Sequence, residues 1–451
     1  MELYWRKWAY HFDSPSVKST LRDNKVGDLS VCHLLHGTYA EEYEQDPERA
    51  PERLNQTFFT FTPPSSETHA HILKKHFLTP NEALYIRNHA PVPNHLSAAS
   101  HDVTFSLAKK DETRDLKTSM SLLELRENFD STDVISVMQC AGNRQIDDFK
   151  RQGSNGFTGT PYQNITNGMV GNVLWSGVRL DTLLRSLYPQ ECEEESSSPG
   201  EWHVIFTGAD EYESSSPLSL VLEAATDGLL AFEMNGVPLL PDHGFPVRVV
   251  LPGLAGARNV KWLEGLTLSR VPCDKPWNAH YYRTAKQEHI QTLPSNSIIL
   301  SPDKHSLVQL REDGSGSVSV QGVAYAGGGE ANTPVQCVEV TADGGTTWTR
   351  ARLLQEERET VPQDAIGDHA WIRFIAEVPV RVDKMSSVST VSGDDEDASD
   401  KLATHKINIY SRATDALGRQ QPEGSTQGQR SYLFAGWGAA TLTGVRSGNQ
   451  S

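Results

Sequence analysis

The sequence predicts an α+β protein in two parts, with mixed strands and short helices over residues 76–280 and a β-sandwich over residues 281–442. Three observations carry this. Over the first part, helical and alternating patterns mix without regular βα repetition, which argues against a doubly wound sheet. Beyond residue 280 the helical patterns disappear, and alternating segments separated by turns replace them. Within the first part a β-branched apolar run, Val134 to Gln139, ends at Cys140-Ala141-Gly142-Asn143-Arg144-Gln145. It reads as a buried strand that delivers a cysteine to a small, turn-prone segment followed by an arginine.

The elements follow in order. Residues 1–75 show no clear period; the acidic tract Glu41 to Glu48 and the prolines at 47, 51, 63 and 64 predict an extended or partly disordered lead. Its first residues, Met1 to Asp13, lack the apolar core of a signal peptide, and no run is long enough to span a bilayer. Pro91 and Pro93 force extended backbone after Arg87-Asn88-His89. Ser121-Leu122-Leu123-Glu124 has the capping-box pattern, and Leu122, Leu125 and Phe129 then share one helical face. Leu180, Leu183, Leu184 and Leu187 make a second amphipathic helix, which ends before an acidic, serine-rich loop from Glu193 to Gly200. Trp202 to Thr207 and Val247 to Leu251 read as strands. In the second part Ser317 to Tyr325 alternates. So does Val335 to Thr341, which turns at Asp343-Gly344-Gly345 into Thr346 to Arg352 as a hairpin. Ala370 to Val378 and the stretch through Ile407 and Ile409 add strands. The acidic, serine-rich Ser386 to Asp400 is expected to be a disordered insertion, and residues 443–451 a flexible tail.

A formal net charge of −17 argues against a nucleic-acid binder and against long-range steering of an anion, although a local basic pocket still holds one. The five cysteines are odd in number and scattered, without zinc-like spacing, so a reducing compartment is expected, with the cytoplasm as default. The chain ends without a Ser-Lys-Leu address. Asn55-Gln56-Thr57 and Asn164-Ile165-Thr166 match the glycosylation pattern by chance in the absence of a secretory signal. Cys140 itself has two readings: a small buried hydrophobe, or a thiolate set beside backbone N–H groups and a cation.

Cys140-Ala141-Gly142-Asn143-Arg144 after such a strand resembles the molybdenum-ligand segment of the sulfite oxidase family, which includes the molybdenum domain of nitrate reductases. Three further segments match in family order: Arg87-Asn88-His89-Ala90-Pro91-Val92-Pro93, Val178-Arg179-Leu180 after Trp175, and Asp242-His243-Gly244-Phe245-Pro246-Val247-Arg248 running on to Gly256-Ala257-Arg258-Asn259-Val260-Lys261-Trp262. The resemblance implies a molybdopterin-binding catalytic domain over 76–280 and an immunoglobulin-like dimerisation domain over 281–442, hence a homodimer. It implies oxidation of sulfite to sulfate by oxygen-atom transfer; nitrate or sulfoxide reduction on the same scaffold, or a non-catalytic assembly protein, are its alternatives. No haem or flavin segment is apparent, so electrons are expected to leave to a diffusible acceptor, oxygen or a separate carrier.

By this resemblance Cys140 is the metal ligand, and Tyr85, Ile86, Arg87, Asn88, His89, Asp210, His243, Arg248, Asn259, Val260 and Lys261 hold the molybdenum cofactor. Arg87, Trp175 and Tyr282 match the family residues that bind the oxyanion and shape its pocket. Taken alone, Trp175 reads as core, Tyr282 as a surface aromatic, Asp210 as a turn residue, His89 and His243 as structural histidines, and Lys261 as a solvated lysine beside Trp262. The chain departs from the family at Gln145, where a second arginine is usual, and around Tyr432 to Gly438, where no third arginine is apparent. Arg144, Arg151, His280 and Arg283 stand as compensating cations.

Overall fold

The structure is a computed structural model and describes residues 43–49, 55–108, 116–153, 165–224, 227–303, 306–328, 334–354, 361–362, 365–366, 369–382, 404–424, 426 and 431–446. The first part holds two five-stranded sheets. One orders Val237–Pro238, Leu229–Met234, Val170–Arg179 and Ser131–Gln139 antiparallel, with Arg248–Val250 also paired to Leu229–Met234. The cysteine-bearing strand does not alternate in sequence because both its faces are covered. Val134 and Met138 enter a cluster with Leu84, Tyr85, Cys140 and Trp175, while Ile135 and Val137 pack with Leu73, Phe77, Val323 and Trp371.

The other sheet orders Leu116–Ser121, Asp102–Leu107, Leu263–Ser269, His203–Gly208 and Glu213–Pro217. Only the pairing of Leu263–Ser269 with Asp102–Leu107 is parallel. The capping box forms as expected: Ser121 Oγ accepts from Glu124 N at 3.2 Å and Ser121 N donates to Glu124 Oε2 at 2.8 Å. The helix Leu180–Leu187 buries Leu180, Leu183 and Leu184 completely, worth about 1.5–3 kcal/mol each as an upper bound.

The second part is a sandwich of a four-stranded sheet (Asn296–Ser301, Ser315–Tyr325, Ile372–Arg381, Arg352–Leu354) and a five-stranded one (Leu307–Leu310, Gly438–Arg446, Thr404–Asp415, Val335–Thr341, Thr349–Arg350). The alternating residues Val318, Val320, Phe374, Ala376, Ile407 and Ile409 form the core between them.

Three expectations need correction. The lead is not extended through residue 75: Gln56–Phe61 and Pro64–Thr68 form a hairpin and Ala70–Lys75 a helix. Polar, long-range bonds hold it, with Gln56 Nε2 donating to Leu84 O at 2.6 Å and Ser66 N to Ile86 O at 2.9 Å, so no hydrophobic period betrays it. The acidic stretch from Glu193 is mostly helix, Pro189–Ser197, with Cys192 on the buried side. Glu195 ends that helix usefully, since its carboxylate accepts from Gly200 N, Glu201 N, Trp202 N and Ser219 N at 2.7–3.0 Å. The tail begins later than expected, because residues 443–446 complete the strand Gly438–Arg446 between two partners. Ser386 to Asp400 lies outside the described residues.

Candidate active site

The strand ending at Gln139 delivers Cys140 to a partly open cavity. Its lining includes Tyr85, Arg87, Asn88, His89, Cys140, Asp210, His243, Arg248, Asn259, Val260, Lys261 and Tyr282, so segments far apart in sequence converge there. Gly142 N donates to Cys140 Sγ at 3.4 Å. Burial pushes the thiol up, and the Arg87 charge and that N–H act against it.

The polar groups fall into two sets. Around Cys140, Tyr282 Oη meets His89 Nε2 at 3.0 Å, and the His89 ring lies 5.0 Å from Tyr212 and 4.1 Å from Trp277. The Arg87 charge acts on Cys140, Tyr212 and Tyr282 alike, which puts one cation among them. Tyr282 is raised well above the usual phenol value, first by burial.

The second set is basic. Arg248 donates to His243 O at 2.9 Å and Asn259 O at 3.1 Å, and burial lowers it to about 10. Lys261 Nζ donates to Asn88 Oδ1 and to Asp242 O, the latter at 2.9 Å, and burial lowers it as well. His243 Nε2 meets Asn81 O at 3.1 Å; burial takes it down to about 3, so its ring is neutral at pH 7. Asn259 fixes the intervening loop, its Oδ1 accepting from Leu251 N at 2.6 Å and its Nδ2 donating to Ala255 O at 3.0 Å. Asp210 is the turn residue it reads as, accepting from Tyr212 N at 3.2 Å, but it also lines the cavity.

Two expected residues stand elsewhere. Trp175 is fully buried in the core beneath Arg248, whose guanidinium carbon lies 5.1 Å from its ring, and it does not line the cavity. Ile86 contributes main chain, its N donating to Ser66 Oγ at 3.0 Å. Gln145 is buried at the start of the helix Gln145–Arg151, away from the lining. None of the compensating cations lines it either. Arg144 is committed to the sandwich, donating to Asn296 Oδ1, Gly436 O and Trp437 O at 2.6–2.8 Å. Arg283 donates to Ala279 O and Gln287 O, Arg151 pairs with Asp148, and His280 is exposed. The sandwich reaches the site instead through Leu433, whose N donates to Ala141 O at 2.8 Å, and Tyr432, 5.4 Å from the Tyr282 ring.

Sequence reasoning missed Tyr212, Gly256 and Asp242. Tyr212 carries no motif. Gly256 and Asp242 stand inside matched segments, yet their roles appear only in three dimensions: a Cβ at Gly256 would lie 2.9 Å from Gln139 O and 3.1 Å from Tyr85 Oη. Only a glycine lets this loop pack so closely against the strand end before Cys140.

The donor set fits a molybdopterin cofactor. A soft sulfur stands at a strand end in a partly open cavity, and a separate basic set suits a phosphate. Fold and site together define a molybdopterin-dependent oxidoreductase. Residues 89–277 match the oxidoreductase molybdopterin binding domain, and residues 287–437 match the Mo-co oxidoreductase dimerisation domain. The sulfite oxidase of Gallus gallus is 34% identical over 417 residues, covering 87% of this chain and 82% of that protein. The mitochondrial sulfite oxidase of Drosophila melanogaster is 32% identical over 444 residues, covering 93% and 68%. An NADH nitrate reductase of Lotus japonicus is 31% identical over 308 residues, 62% of this chain and 32% of that protein. Among solved structures, the sulfane dehydrogenase SoxCD from Paracoccus pantotrophus shares the fold, with TM-score 0.59 and 22% identity over 92% of this chain and 96% of that one. The chain belongs to the sulfite oxidase family of molybdopterin oxidoreductases. No helix among the described residues is long and apolar enough to cross a membrane.

Proposed function

We propose that this protein oxidises sulfite to sulfate and passes the electrons to a diffusible acceptor, oxygen or a separate carrier. The observation that carries the reading is the grouping of Cys140, Arg87 and the His89–Tyr282 pair at one cavity. In this reading Cys140 anchors the metal, while Tyr85, Asn88, His243, Arg248, Asn259, Val260 and Lys261 hold the pterin and its phosphate. When bound, the cofactor supplies two-electron oxygen-atom transfer. Arg87 holds the oxyanion by charge-assisted hydrogen bonds, and His89 fixes the Tyr282 hydroxyl towards it. The aromatic wall of Tyr212, Trp277 and Tyr282 limits water at the reacting centre.

A second reading, another small oxyanion or a sulfoxide, is favoured by one observation. Of the lining cations, Arg248 and Lys261 are bonded within the basic set, and Gln145 adds none near Cys140. The match to a dimerisation domain supports a homodimer, and the free, scattered thiols Cys140, Cys192, Cys273 and Cys337 suit a reducing compartment such as the cytoplasm.

The test is molybdenum content and sulfite-dependent ferricyanide reduction for wild type and Cys140→Ser. Bound molybdenum with turnover, both lost in Cys140→Ser, supports the oxidase. Molybdenum without sulfite turnover moves the substrate to the second reading. Wild-type protein lacking molybdenum, from a host that makes the cofactor, overturns both.

A further inference from the structure

The short segment of residues 43–49 brings one buried cation to the basic set from outside every matched motif. Arg49 grips Asp242 with two bonds, Nε to Oδ2 at 2.9 Å and Nη2 to Oδ1 at 2.6 Å, and Nη2 also reaches Asp46 Oδ2 at 3.0 Å. The side chains are almost out of solvent, 6% exposed for Arg49 and Asp46 and 12% for Asp242. Val92 N donates to Asp46 Oδ1 at 2.8 Å, which pins the segment to the domain.

Asp242 is one side chain away from Lys261. Its Oδ1 accepts from Asn88 Nδ2 at 3.1 Å, and Asn88 Oδ1 accepts from Lys261 Nζ. Lys261 bonds the main-chain oxygen of Asp242 and not its carboxylate. Arg49 thus takes up the Asp46 and Asp242 carboxylates, and Lys261 reaches Asp242 only through Asn88 and the main chain. Without Arg49 the Asp242 carboxylate would lose its paired cation, and its uncompensated negative charge would sit beside Lys261, at the place assigned to a phosphate.

We propose that Arg49 is a positioning residue for the cofactor: it neutralises Asp242, so that Lys261 remains available to the cofactor's phosphate. This rests on the assignment of Lys261 to that phosphate. Folding of residues 43–49 onto the domain and retention of the cofactor are then coupled, each favouring the other.

The experiment measures molybdenum and releasable pterin per chain in full-length wild type, Arg49→Ala, Arg49→Lys, the double variant Arg49→Ala/Asp242→Asn, and Lys261→Ala. All come from one cofactor-competent host, with circular dichroism as the folding check. Arg49→Ala is expected to lose at least fivefold in cofactor content, Arg49→Lys to lie between it and wild type, and the double variant to recover at least half of the wild-type content. A double variant as empty as Arg49→Ala overturns the charge argument, as does full content in Arg49→Ala while Lys261→Ala is depleted. Full content in Lys261→Ala overturns the assignment beneath it. If Arg49→Ala fails to fold, the double variant and Arg49→Lys still decide.

Discussion

Replacing Arg144 separates its two conceivable roles, substrate cation and interdomain clamp. Its guanidinium is 1% exposed and makes three bonds into the sandwich, to Asn296 Oδ1 at 2.7 Å, Gly436 O at 2.8 Å and Trp437 O at 2.6 Å. Bonds from a charged donor are worth about 1.5–3 kcal/mol each, which sets a ceiling of roughly 4.5–9 kcal/mol because such losses do not add. The fourth bond, to the half-buried Asp147, contributes little. Truncation also strands the Trp437 carbonyl, while Gln421 Nε2 still donates to Asn296 Oδ1 and Gly436 O, and breaking a comparable buried pair costs about 3–5 kcal/mol. Arg144→Ala is therefore expected to lose about 3–5 kcal/mol. Arg144→Gly should recover up to roughly 1 kcal/mol of this, since the residue sits at φ 66. The assay is urea unfolding of molybdenum-loaded protein followed by tryptophan fluorescence, with KM for sulfite on the folded variant. A loss under about 1 kcal/mol refutes the clamp. A tenfold rise in KM with stability intact would make Arg144 a substrate ligand.

The remaining expectations concern the cavity. Arg87→Ala removes the cation assigned to the oxyanion and should lower kcat/KM for sulfite roughly 10- to 150-fold, the equivalent of about 1.5–3 kcal/mol; an unchanged value would remove Arg87 from substrate binding. His243 is neutral in the fold, lowered to about 3 by burial, and charges readily once unfolded. The unfolded chain thus binds the extra proton between about pH 6.5 and 3, so His243 contributes a loss of stability as pH falls through that window. His243→Gln should flatten this part of the urea-midpoint profile of cofactor-free protein, and an identical slope in the variant would contradict the burial argument.

What was legible in the sequence was local or motif-borne. The capping box at Ser121 and Glu124 forms within four residues, and the Val134 to Cys140 run declares a strand covered on both faces. Cys140, Arg87, His243, Arg248 and Lys261 were found because they stand in ordered motifs, and the fold brings them to one cavity. Trp175 was misplaced because a motif gives adjacency in sequence and not which side of a strand faces the cavity. The helix Pro189–Ser197 was hidden by its serines and acids, although Pro189 at its first turn was a usable signal. Arg49 was illegible, since its partner Asp242 lies 193 residues away.

The bonds from Arg144 to Gly436 and Trp437 and from Leu433 to Ala141 also set a schedule for biosynthesis. The loop that carries Cys140 is braced by residues translated 292 positions after Arg144 and beyond. A nascent chain has Cys140 and the cavity cations in hand long before it has the brace, so the seat assigned to the cofactor is completed only once residues 433–437 have emerged. A truncation ahead of residue 431 would leave a chain containing every residue assigned to the cofactor above, without the brace that finishes its seat.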